Sequence, residues 1–208
     1  MNRAIIITGG SGTMAVAIGA LFRDQHFIVL NPGRDRLDVT DEKMVADYMH
    51  KCKPQALVNC AGYIQPSNVE STSISEWNKH FAVNVTGAFL CSKYAIINGC
   101  GIIINIGSTS AFEGRADWGA YCASKAALIS LTETLSEEGI GAFSINPART
   151  NTKMRSRLFP KENKTQLMNP SVIAQCVFDV MSGKFESGSH LIIGKDFYHV
   201  VPKRRCLK

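Results

Sequence analysis

The stretch Thr8-Gly9-Gly10-Ser11-Gly12-Thr13-Met14-Ala15 follows the apolar run Ala4–Ile7 and leads into a segment with helical periodicity. Gly10, Gly12 and Ala15 fit the pattern G-x-G-x-x-G/A. In this pattern the first glycine makes the turn, the second admits a pyrophosphate, and the last small residue allows close helix packing. The amides and the dipole at the start of a helix favour an anion there. The pattern predicts a nucleotide-binding loop, with a plain glycine-rich turn as the alternative.

Short apolar runs alternate with helical stretches along the chain. Strands are predicted at residues 4–7, 27–30, 56–59, 101–106, 142–146 and 190–193, and helices at residues 13–23, 42–50, 74–97, 120–138 and 170–181. Non-alternating apolar strands separated by helices indicate a parallel sheet that is covered on both faces. The predicted fold class is α/β, a single-domain, doubly wound Rossmann sheet over residues 1–200 with a basic C-terminal tail at residues 201–208.

Two irregularities interrupt this alternation. Only residues 31–36 separate the second strand from Leu37-Asp38-Val39-Thr40, which is too few for a crossover helix. We therefore expect the third strand and the helix before it to be reduced. Residues 147–169 form the longest irregular segment, and a loop of this size is uncommon unless it closes over a site.

Composition limits the classes of protein to which the chain can belong. With 208 residues, 45% of them hydrophobic and 19% charged, the chain matches one globular domain. No apolar run approaches the roughly 18 residues of a membrane span, so we expect a cytoplasmic protein without a membrane partner. The seven cysteines form no CxxC pair and the five histidines lack metal-ligand spacing, so no metal site is predicted.

The net charge of +6 is concentrated in two segments. Basic residues cluster at residues 149–157 and 203–205 instead of along one stripe, which argues against nucleic acid as a partner. Arg149, Lys153 and Arg155 would suit a small anionic substrate at least as well. The alternatives are that these side chains close over phosphates of a cofactor or simply face solvent.

The end of the second predicted strand bears on the choice between NAD and NADP. A carboxylate at this place accepts a hydrogen bond from a ribose 2′-hydroxyl, whereas arginine suits a 2′-phosphate. The strand ends at Asn31, without an acid, and Arg34 and Arg36 follow within a few residues. We expect NADP to be preferred over NAD, because guanidinium groups bind phosphate in a bidentate manner. Two solvated loop arginines are the alternative.

A phenol and an ammonium stand four residues apart in Tyr121-Cys122-Ala123-Ser124-Lys125, on one face of a predicted helix. This pair alone is a weak sign of a catalytic site. It becomes stronger with Ser108, which ends the apolar strand that precedes the helix.

Seven elements in this order and spacing resemble the short-chain dehydrogenase/reductase family over most of the chain. They are Thr8-Gly9-x-x-Gly12-x-x-Ala15, Leu37-Asp38-Val39-Thr40, Asn59-Cys60-Ala61-Gly62, Asn84-Val85, Ser108, Tyr121-x-x-x-Lys125, and Pro147 with Thr152 five residues on. The resemblance implies an oxidoreductase that transfers hydride between a nicotinamide cofactor and a carbonyl or alcohol substrate.

The resemblance also implies a role for each catalytic candidate. Tyr121 would protonate the carbonyl oxygen, and Lys125, with the positive nicotinamide ring of the oxidised complex, would lower the phenol pKa from its usual value of about 10. Ser108 would donate a hydrogen bond to the substrate oxygen, and Asn84 would help to hold a water that carries the proton onward. Buried structural roles are the alternatives for Ser108 and Asn84.

Cofactor contacts are implied after the predicted strands, where open α/β sheets form their crevice. Asp38 and Val39 would lie against the adenine, residues 59–62 along the adenosine, and residues 147–152 near the nicotinamide amide and the phosphates. The full set of predicted cofactor contacts is Gly9, Gly10, Ser11, Gly12, Thr13, Met14, Asn31, Arg34, Asp38, Val39, Asn59, Ala61, Gly62, Tyr121, Lys125, Pro147, Thr150 and Thr152.

The predicted substrate contacts lie mainly in one segment, residues 146–155. This segment is similar to the reductase part of bacterial enzymes that convert ribulose 5-phosphate to ribitol 5-phosphate for surface polymers, which implies that Arg149, with Lys153 or Arg155, binds a phosphate. Trp118 is a further candidate for the pocket. Three functions stay open: a reductase of an anionic or sugar-phosphate ketone, an enzyme of neutral ketones or alcohols, and a non-catalytic NADP-binding regulator.

Two predicted helices bear on the oligomeric state of the protein. The helices predicted at residues 74–97 and 120–138 are rich in small and apolar residues. Relatives in the family pair through these two helices, so the resemblance implies a homodimer or homotetramer.

Overall fold

Seven strands form one sheet at the centre of the computed structural model, which describes residues 4–203. The strands are β1 (Ala4–Ile7), β2 (Ile28–Leu30), β3 (Ala56–Asn59), β4 (Ile102–Ile106), β5 (Gly141–Pro147), β6 (His190–Ile193) and β7 (Tyr198–Val201). Their order is β2-β1-β3-β4-β5-β6-β7, with β1 to β6 parallel and β7 antiparallel to β6. The winding reverses between β1 and β3, where a doubly wound sheet forms its ligand crevice.

Seven α-helices connect the strands within the described residues. They are α1 (Thr13–Asp24), α2 (Glu42–Cys52), α3 (Ile74–Phe81), α4 (Gly87–Ile97), α5 (Gly119–Glu137), α6 (Lys153–Leu158) and α7 (Pro170–Met181). A π-helical turn, Ala82–Thr86, joins α3 to α4. Between residues 4 and 203, no helix is long and apolar enough to cross a membrane, and no group of three or more His, Cys, Asp or Glu side chains is arranged to hold a metal ion.

The central strands bury side chains on both faces. Ile5 and Ile7 pack with α1 and α7 in one core, whereas Ile6 packs with α2 and α4 in a second core on the opposite face. Successive side chains of a strand point to opposite faces, so a strand that is covered on both sides is apolar at every position. This explains why the apolar runs do not alternate with polar residues.

The predicted fold class is confirmed, and the reduction of the third strand is complete. Residues 37–40 carry no strand and lead directly into α2, which leaves β2 as the outer strand of the sheet. The Asp38 carboxylate accepts hydrogen bonds from the amide and the hydroxyl of Thr40 (3.0 and 2.7 Å), which closes a turn. Leu37 and Val39 are buried in the core beside α2 instead of pairing with β2.

Three features differ from the sequence-based expectations. The helix expected at residues 74–97 is divided by the π-helical turn, and the segment expected to be irregular, residues 147–169, contains α6. The antiparallel strand β7 was not predicted, and the expected domain boundary at residue 200 falls inside it. Lys203 forms an ion pair with Glu137 (2.8 Å), and the rest of the predicted tail, residues 204–208, lies outside the described residues.

Candidate active site

The glycine loop packs closely against two neighbouring strand ends. Gly9 has a φ of +66°, and a Cβ at this position would lie 2.8 Å from the Ala61 Cα. A Cβ on Gly10 would lie 2.3 Å from the Asn31 carbonyl oxygen. Gly12 offers no side chain to cap α1, so the first amides of this helix remain donors for a phosphate. The loop therefore fits a nucleotide, and a side chain at Gly9 or Gly10 would push it away from the backbone of the two strand ends.

A cavity of about 550 Å³ lies beside the loop, and we call it the dinucleotide cavity. Its volume is within the range of about 300–1,000 Å³ that small-molecule sites occupy. Thr8 Oγ1 accepts hydrogen bonds from the amides of Cys60 and Ala61 (3.0 and 3.1 Å), which joins the ends of β1 and β3 in one wall. The predicted cofactor residues in its lining are Gly9, Ser11, Gly12, Thr13, Met14, Arg34, Asp38, Val39, Ala61, Gly62 and Thr152.

Three predicted cofactor residues lie behind the lining. Asn31 Nδ2 donates to the Ala15 carbonyl oxygen (2.9 Å), which ties the end of β2 to α1. Asn59 Nδ2 donates to Asn105 Oδ1 (2.9 Å), which ties β3 to β4. Gly10 lies against the backbone of Asn31. These three residues therefore hold neighbouring elements together and do not line the dinucleotide cavity.

Most charged side chains in the lining of the dinucleotide cavity are cationic. Arg34 Nε donates to Asp38 Oδ2 (2.8 Å), and Lys79 and Lys153 line the same cavity. Partial burial acts to raise the pKa of Asp38, but hydrogen bonds from Thr40 and Arg34 outweigh it and hold this pKa below its usual range. Three cations therefore face one ionised carboxylate. Sequence reasoning missed Lys79, because it lies within α3 and belongs to no motif.

Ser108, Tyr121 and Lys125 converge where β4 ends and α5 begins. Ser108 lies just after β4, and its Oγ accepts a hydrogen bond from the Ser110 amide (3.1 Å). Lys125 lies one turn after Tyr121 on α5, is 4% exposed, and donates to the Ile106 carbonyl oxygen (2.8 Å). The structure thus brings together the three residues that the motif singled out.

Burial dominates the pKa values of the phenol and the ammonium. It raises the pKa of Tyr121 to about 12, against the opposing effects of a hydrogen bond with Ser108 and the charge of Arg115. It lowers the pKa of Lys125 to about 8. Lys125 is not among the groups that lower the Tyr121 pKa here, because its ammonium, with a pKa of about 8, loses its proton before the phenol does. Tyr121 is therefore a neutral phenol at physiological pH. The lowering expected in the oxidised complex stays a prediction.

Asn84 lies in the π-helical turn and is buried. Its Oδ1 accepts a hydrogen bond from the Tyr63 amide (2.7 Å), and its Nδ2 donates to the Tyr63 carbonyl oxygen and to Ser124 Oγ (both 2.9 Å). The side chain thus links the segment after β3 to α5. A Cβ on Gly62 would lie 3.7 Å from Asn84 Oδ1 and 3.9 Å from Lys125 Nζ, so the amide and the ammonium border the same space.

A smaller cavity adjoins the dinucleotide cavity, and we call it the substrate cavity. The two cavities share Met14, Thr152 and Met154, so they are contiguous. The lining of the substrate cavity contains the catalytic candidates Ser108 and Tyr121, the predicted cofactor residues Pro147, Thr150 and Thr152, and the predicted substrate residues Trp118, Arg149 and Arg155. A ligand that extends along both cavities would reach the Tyr121 phenol.

The predicted basic cluster is divided between the two cavities. In the lid segment, residues 148–169, Arg155 donates from Nε and Nη2 to both carboxylate oxygens of Glu162 (2.6 and 2.7 Å). Arg149 lies 3.8 Å from the same carboxylate. Lys153 instead lines the dinucleotide cavity, and its amide donates to Thr13 Oγ1 (3.0 Å). The Arg155–Glu162 pair thus joins two parts of the lid segment, and the Lys153 amide joins the segment to the glycine loop.

Aromatic rings form one wall of the substrate cavity. Trp118 stacks on Phe159 of the lid segment, with 6.0 Å between ring centres, and meets the Tyr121 ring edge-on at 5.6 Å. Arg115 lies beside Trp118 and also lines this cavity. Sequence reasoning missed Arg115, which lies in an ordinary polar loop. Its one signal in the sequence was its location between the catalytic candidates Ser108 and Tyr121.

A neutral phenol beside a dinucleotide-sized cavity suits proton transfer to a carbonyl oxygen, and this site defines an oxidoreductase of alcohols and carbonyls. Comparison with known proteins narrows the class. Residues 34–163, more than half of the chain, match the family model described as short chain dehydrogenase. The chain belongs to the short-chain dehydrogenase/reductase family.

Two curated relatives illustrate this membership. An uncharacterized oxidoreductase of Thermotoga maritima is 28% identical over an alignment of 241 positions, which covers 92% of this chain and 94% of the relative. The meso-2,3-butanediol dehydrogenase of Serratia marcescens is 30% identical over 186 positions, which cover 74% of this chain and 73% of the relative.

Solved structures share the fold. ElxO with NADP bound has a TM-score of 0.82 at 22% identity, covering 94% of this chain and 98% of its own. A 4-hydroxyisoleucine dehydrogenase complexed with NADH has a TM-score of 0.77 at 23% identity, covering 94% of this chain and 99% of its own.

Proposed function

We propose that this protein is an NADP-dependent reductase of a small anionic carbonyl compound. The observation that carries the proposal is the charge of the substrate cavity. Ser108 and Tyr121 meet three arginines there, Arg115, Arg149 and Arg155, and no carboxylate is among the lining residues of the described chain. Membership of the family supplies the hydride chemistry, and the arginines favour an anion on the substrate.

The residues of the dinucleotide cavity fit a nicotinamide dinucleotide. No side chain caps the first amides of α1, and the lining carries more cations than carboxylates. Among the solved structures reported above, one contains NADP and another NADH, which supports a nicotinamide cofactor without choosing between them. Arg34 would bind the 2′-phosphate, and Lys79 would add positive charge, so we propose NADP. Asp38 is the group that would favour NAD instead.

Tyr121 and Ser108 would act on the carbonyl oxygen. With a pKa of about 12, Tyr121 keeps its proton at neutral pH and can give it to the oxygen while the carbonyl carbon accepts hydride, so that C=O becomes CH–OH. The Ser108 hydroxyl would donate a hydrogen bond to the same oxygen and stabilise the charge that develops there. The bound dinucleotide supplies the hydride.

Lys125 would return the proton to Tyr121. Its pKa of about 8 lies near physiological pH, so the ammonium can release a proton toward the phenolate that protonation of the product leaves behind. One acceptor position of Asn84 Oδ1 is used by the Tyr63 amide, and the other suits a water. The relay of the proton through such a water stays a prediction.

A sugar-phosphate ketone is the substrate type that we favour within this class, with ribulose 5-phosphate as one candidate. It follows from the similarity of residues 146–155, and the presence of Arg149 among the residues that line the substrate cavity supports it. A dehydrogenase of neutral alcohols is the second candidate, favoured by the relative named for meso-2,3-butanediol and by the Trp118 ring in the lining of the substrate cavity. A non-catalytic regulator would not need Ser108, Tyr121 and Lys125 together.

We also propose a homodimer and a cytoplasmic location. Trp77, Phe89 and Ile97 are exposed along α3 and α4, which supports an apolar contact between two copies. Each of the six cysteines within residues 4–203 is a free thiol, which supports a reducing compartment. A light-scattering mass near the 22.7 kDa of one chain would argue against the dimer.

Oxidation of NADPH against a panel of keto-sugar phosphates, including ribulose 5-phosphate, and their unphosphorylated counterparts tests the enzyme proposal. We expect turnover that needs the phosphate, that is lost in Tyr121→Phe, and that persists in the control Tyr94→Phe, whose hydroxyl donates to Glu42 away from the cavities. Turnover of the unphosphorylated members alone would favour the neutral-alcohol function. Tight NADPH binding without any turnover would favour the regulator.

A further inference from the structure

We propose that Arg115 binds the anionic group of the substrate and selects carbonyl compounds that carry a phosphate or a carboxylate over their neutral counterparts. The inference rests on the proposed function and assigns a specificity-determining residue within it. Arg115 lines the substrate cavity together with Ser108 and Tyr121.

The loop between β4 and α5 holds Arg115 in a defined position. The Arg115 carbonyl oxygen accepts a hydrogen bond from the Trp118 amide (3.1 Å), which closes a turn. The guanidinium Nη2 donates to the Thr109 hydroxyl (3.5 Å) and to the Glu113 carboxylate. A side chain that is held at both its backbone and its tip loses little further freedom when it binds an anion.

Arg115 keeps donors for a ligand. Within residues 4–203 the hydrogen bonds of its guanidinium use Nη2, so Nε and Nη1 remain available. Glu113 shares the positive charge, but its side chain is 56% exposed and does not line the cavity. A phosphate or carboxylate has the geometry to accept two parallel hydrogen bonds from such a guanidinium.

The position of Arg115 relative to Tyr121 indicates where the anionic group of the substrate would bind. The Arg115 Cζ lies 5.8 Å from the centre of the Trp118 ring, and this ring lies 5.6 Å from the Tyr121 ring. The positive charge of Arg115 also acts on the phenol, since it lowers the pKa of Tyr121 against the effect of burial. An anion bound to Arg115 would therefore occupy the same cavity as the carbonyl that Tyr121 protonates.

The other two arginines of the cavity are less suited to this task. Both Nε and Nη2 of Arg155 bind Glu162, and the Arg155 side chain is only 16% exposed. Arg149 is 57% exposed and lies 3.8 Å from the same carboxylate. An anion would have to compete with Glu162 for Arg155. Within the described residues no hydrogen bond holds the Arg149 guanidinium, so fixing it on an anion would cost more side-chain freedom than at Arg115.

Matched pairs of substrates isolate the contribution of the anion. One pair is a phosphorylated ketose and the same ketose without phosphate, and the other is a short 3-oxo acid and its methyl ester. In the pair that the enzyme turns over, we expect Arg115→Gln to raise KM for the anionic member at least tenfold and to change kcat less. This is the effect of losing one hydrogen bond to a charged group. KM for the neutral member should not change, and Arg115→Lys should restore part of the loss.

Two control variants accompany this experiment. Arg157→Gln changes an arginine of the lid segment that lies outside the substrate cavity lining and donates to the Ile64 carbonyl oxygen (3.4 Å), and it should leave both KM values unchanged. Arg149→Gln tests the competing arginine. Binding of the same pairs to Tyr121→Phe loaded with NADPH, measured by calorimetry, gives a reading that does not depend on turnover.

The outcomes separate this inference from the proposed function. If wild-type protein prefers the anionic member but only Arg149→Gln reduces that preference, the assignment of Arg115 is wrong and the proposed function stands. The assignment is also wrong if Arg115→Gln changes both members of a pair equally. If wild-type protein shows no preference for the anionic members in turnover or binding, both the inference and the proposed substrate class are overturned.

Discussion

Replacing Lys125 with glutamine should abolish turnover and at the same time stabilise the fold. Lys125 is 4% exposed, and burial lowers its pKa from an ordinary 10.5 to about 8. Each unit of pKa corresponds to about 1.4 kcal/mol, so keeping the buried ammonium at neutral pH costs the folded protein roughly 3 kcal/mol. Glutamine carries no charge, and its amide can keep the hydrogen bond to the Ile106 carbonyl oxygen.

The size of this stabilisation should depend on pH. Below pH 8 the folded and unfolded chains both carry the proton on Lys125, and the full cost applies. Between about pH 8 and 10.5 the unfolded chain binds more protons than the folded chain, so the free energy of unfolding of the wild type rises with pH. The advantage of Lys125→Gln should shrink from roughly 3 kcal/mol toward zero over this interval.

Urea unfolding of both proteins, followed by tryptophan fluorescence at pH values on either side of 8, measures this difference. Burial raises the pKa of Cys91 to about 12, so this thiol weakens both proteins at high pH and cancels in the difference. Burial also raises the pKa of Cys60, but the charge of Lys125 acts to lower it, so the two proteins are compared in a Cys60→Ser background. The exposed Lys51→Gln is the matched control and should show no such trend. A difference in unfolding free energy that stays constant with pH would refute the reasoning.

Three further predictions concern the cofactor and the lid segment. Arg34→Ala should weaken NADPH binding at least tenfold and NADH binding little, as measured by fluorescence titration, whereas Arg36→Ala, outside the cavity lining, should change neither. Gly9→Ala should lower the free energy of unfolding by about 2 kcal/mol in the same urea assay, because Gly9 has a left-handed backbone and its new Cβ would contact Ala61 closely. The control Gly101→Ala should lower it much less, because the space around Gly101 is open. Glu162→Gln removes the carboxylate that pairs with Arg155, so limited proteolysis should cut residues 148–169 severalfold faster. An unchanged cleavage rate would contradict the proposed anchoring of the lid segment.

The positions of site residues whose neighbours are close in the sequence could be predicted. The glycine loop requires a strand, a turn and a helix in immediate succession, and Tyr121 and Lys125 are neighbours on one helix. Their place in the fold follows from the order of the elements. The structure confirms the predicted sheet, and it brings Ser108 next to this pair.

Features that depend on distant partners could not be predicted. Asn31 turns toward the Ala15 carbonyl oxygen, a contact with another element that the end of a strand does not reveal. The pairing of Arg155 with Glu162 depends on how the lid segment folds back on itself. By contrast, β7 pairs with its neighbour β6 across residues 194–197, and it was missed because a strand of four residues gives little signal by itself.

The loss of the third strand also affects how molecules of this protein meet one another. It leaves the crevice between β1 and β3 intact, but it makes β2 an outer strand, with Ile28 half exposed. Unpaired strand edges are templates for edge-to-edge aggregation, and natural proteins keep such edges short. At three residues, β2 is short enough to offer a poor template. Lengthening it with alternating apolar residues would favour edge-to-edge association between copies of the chain.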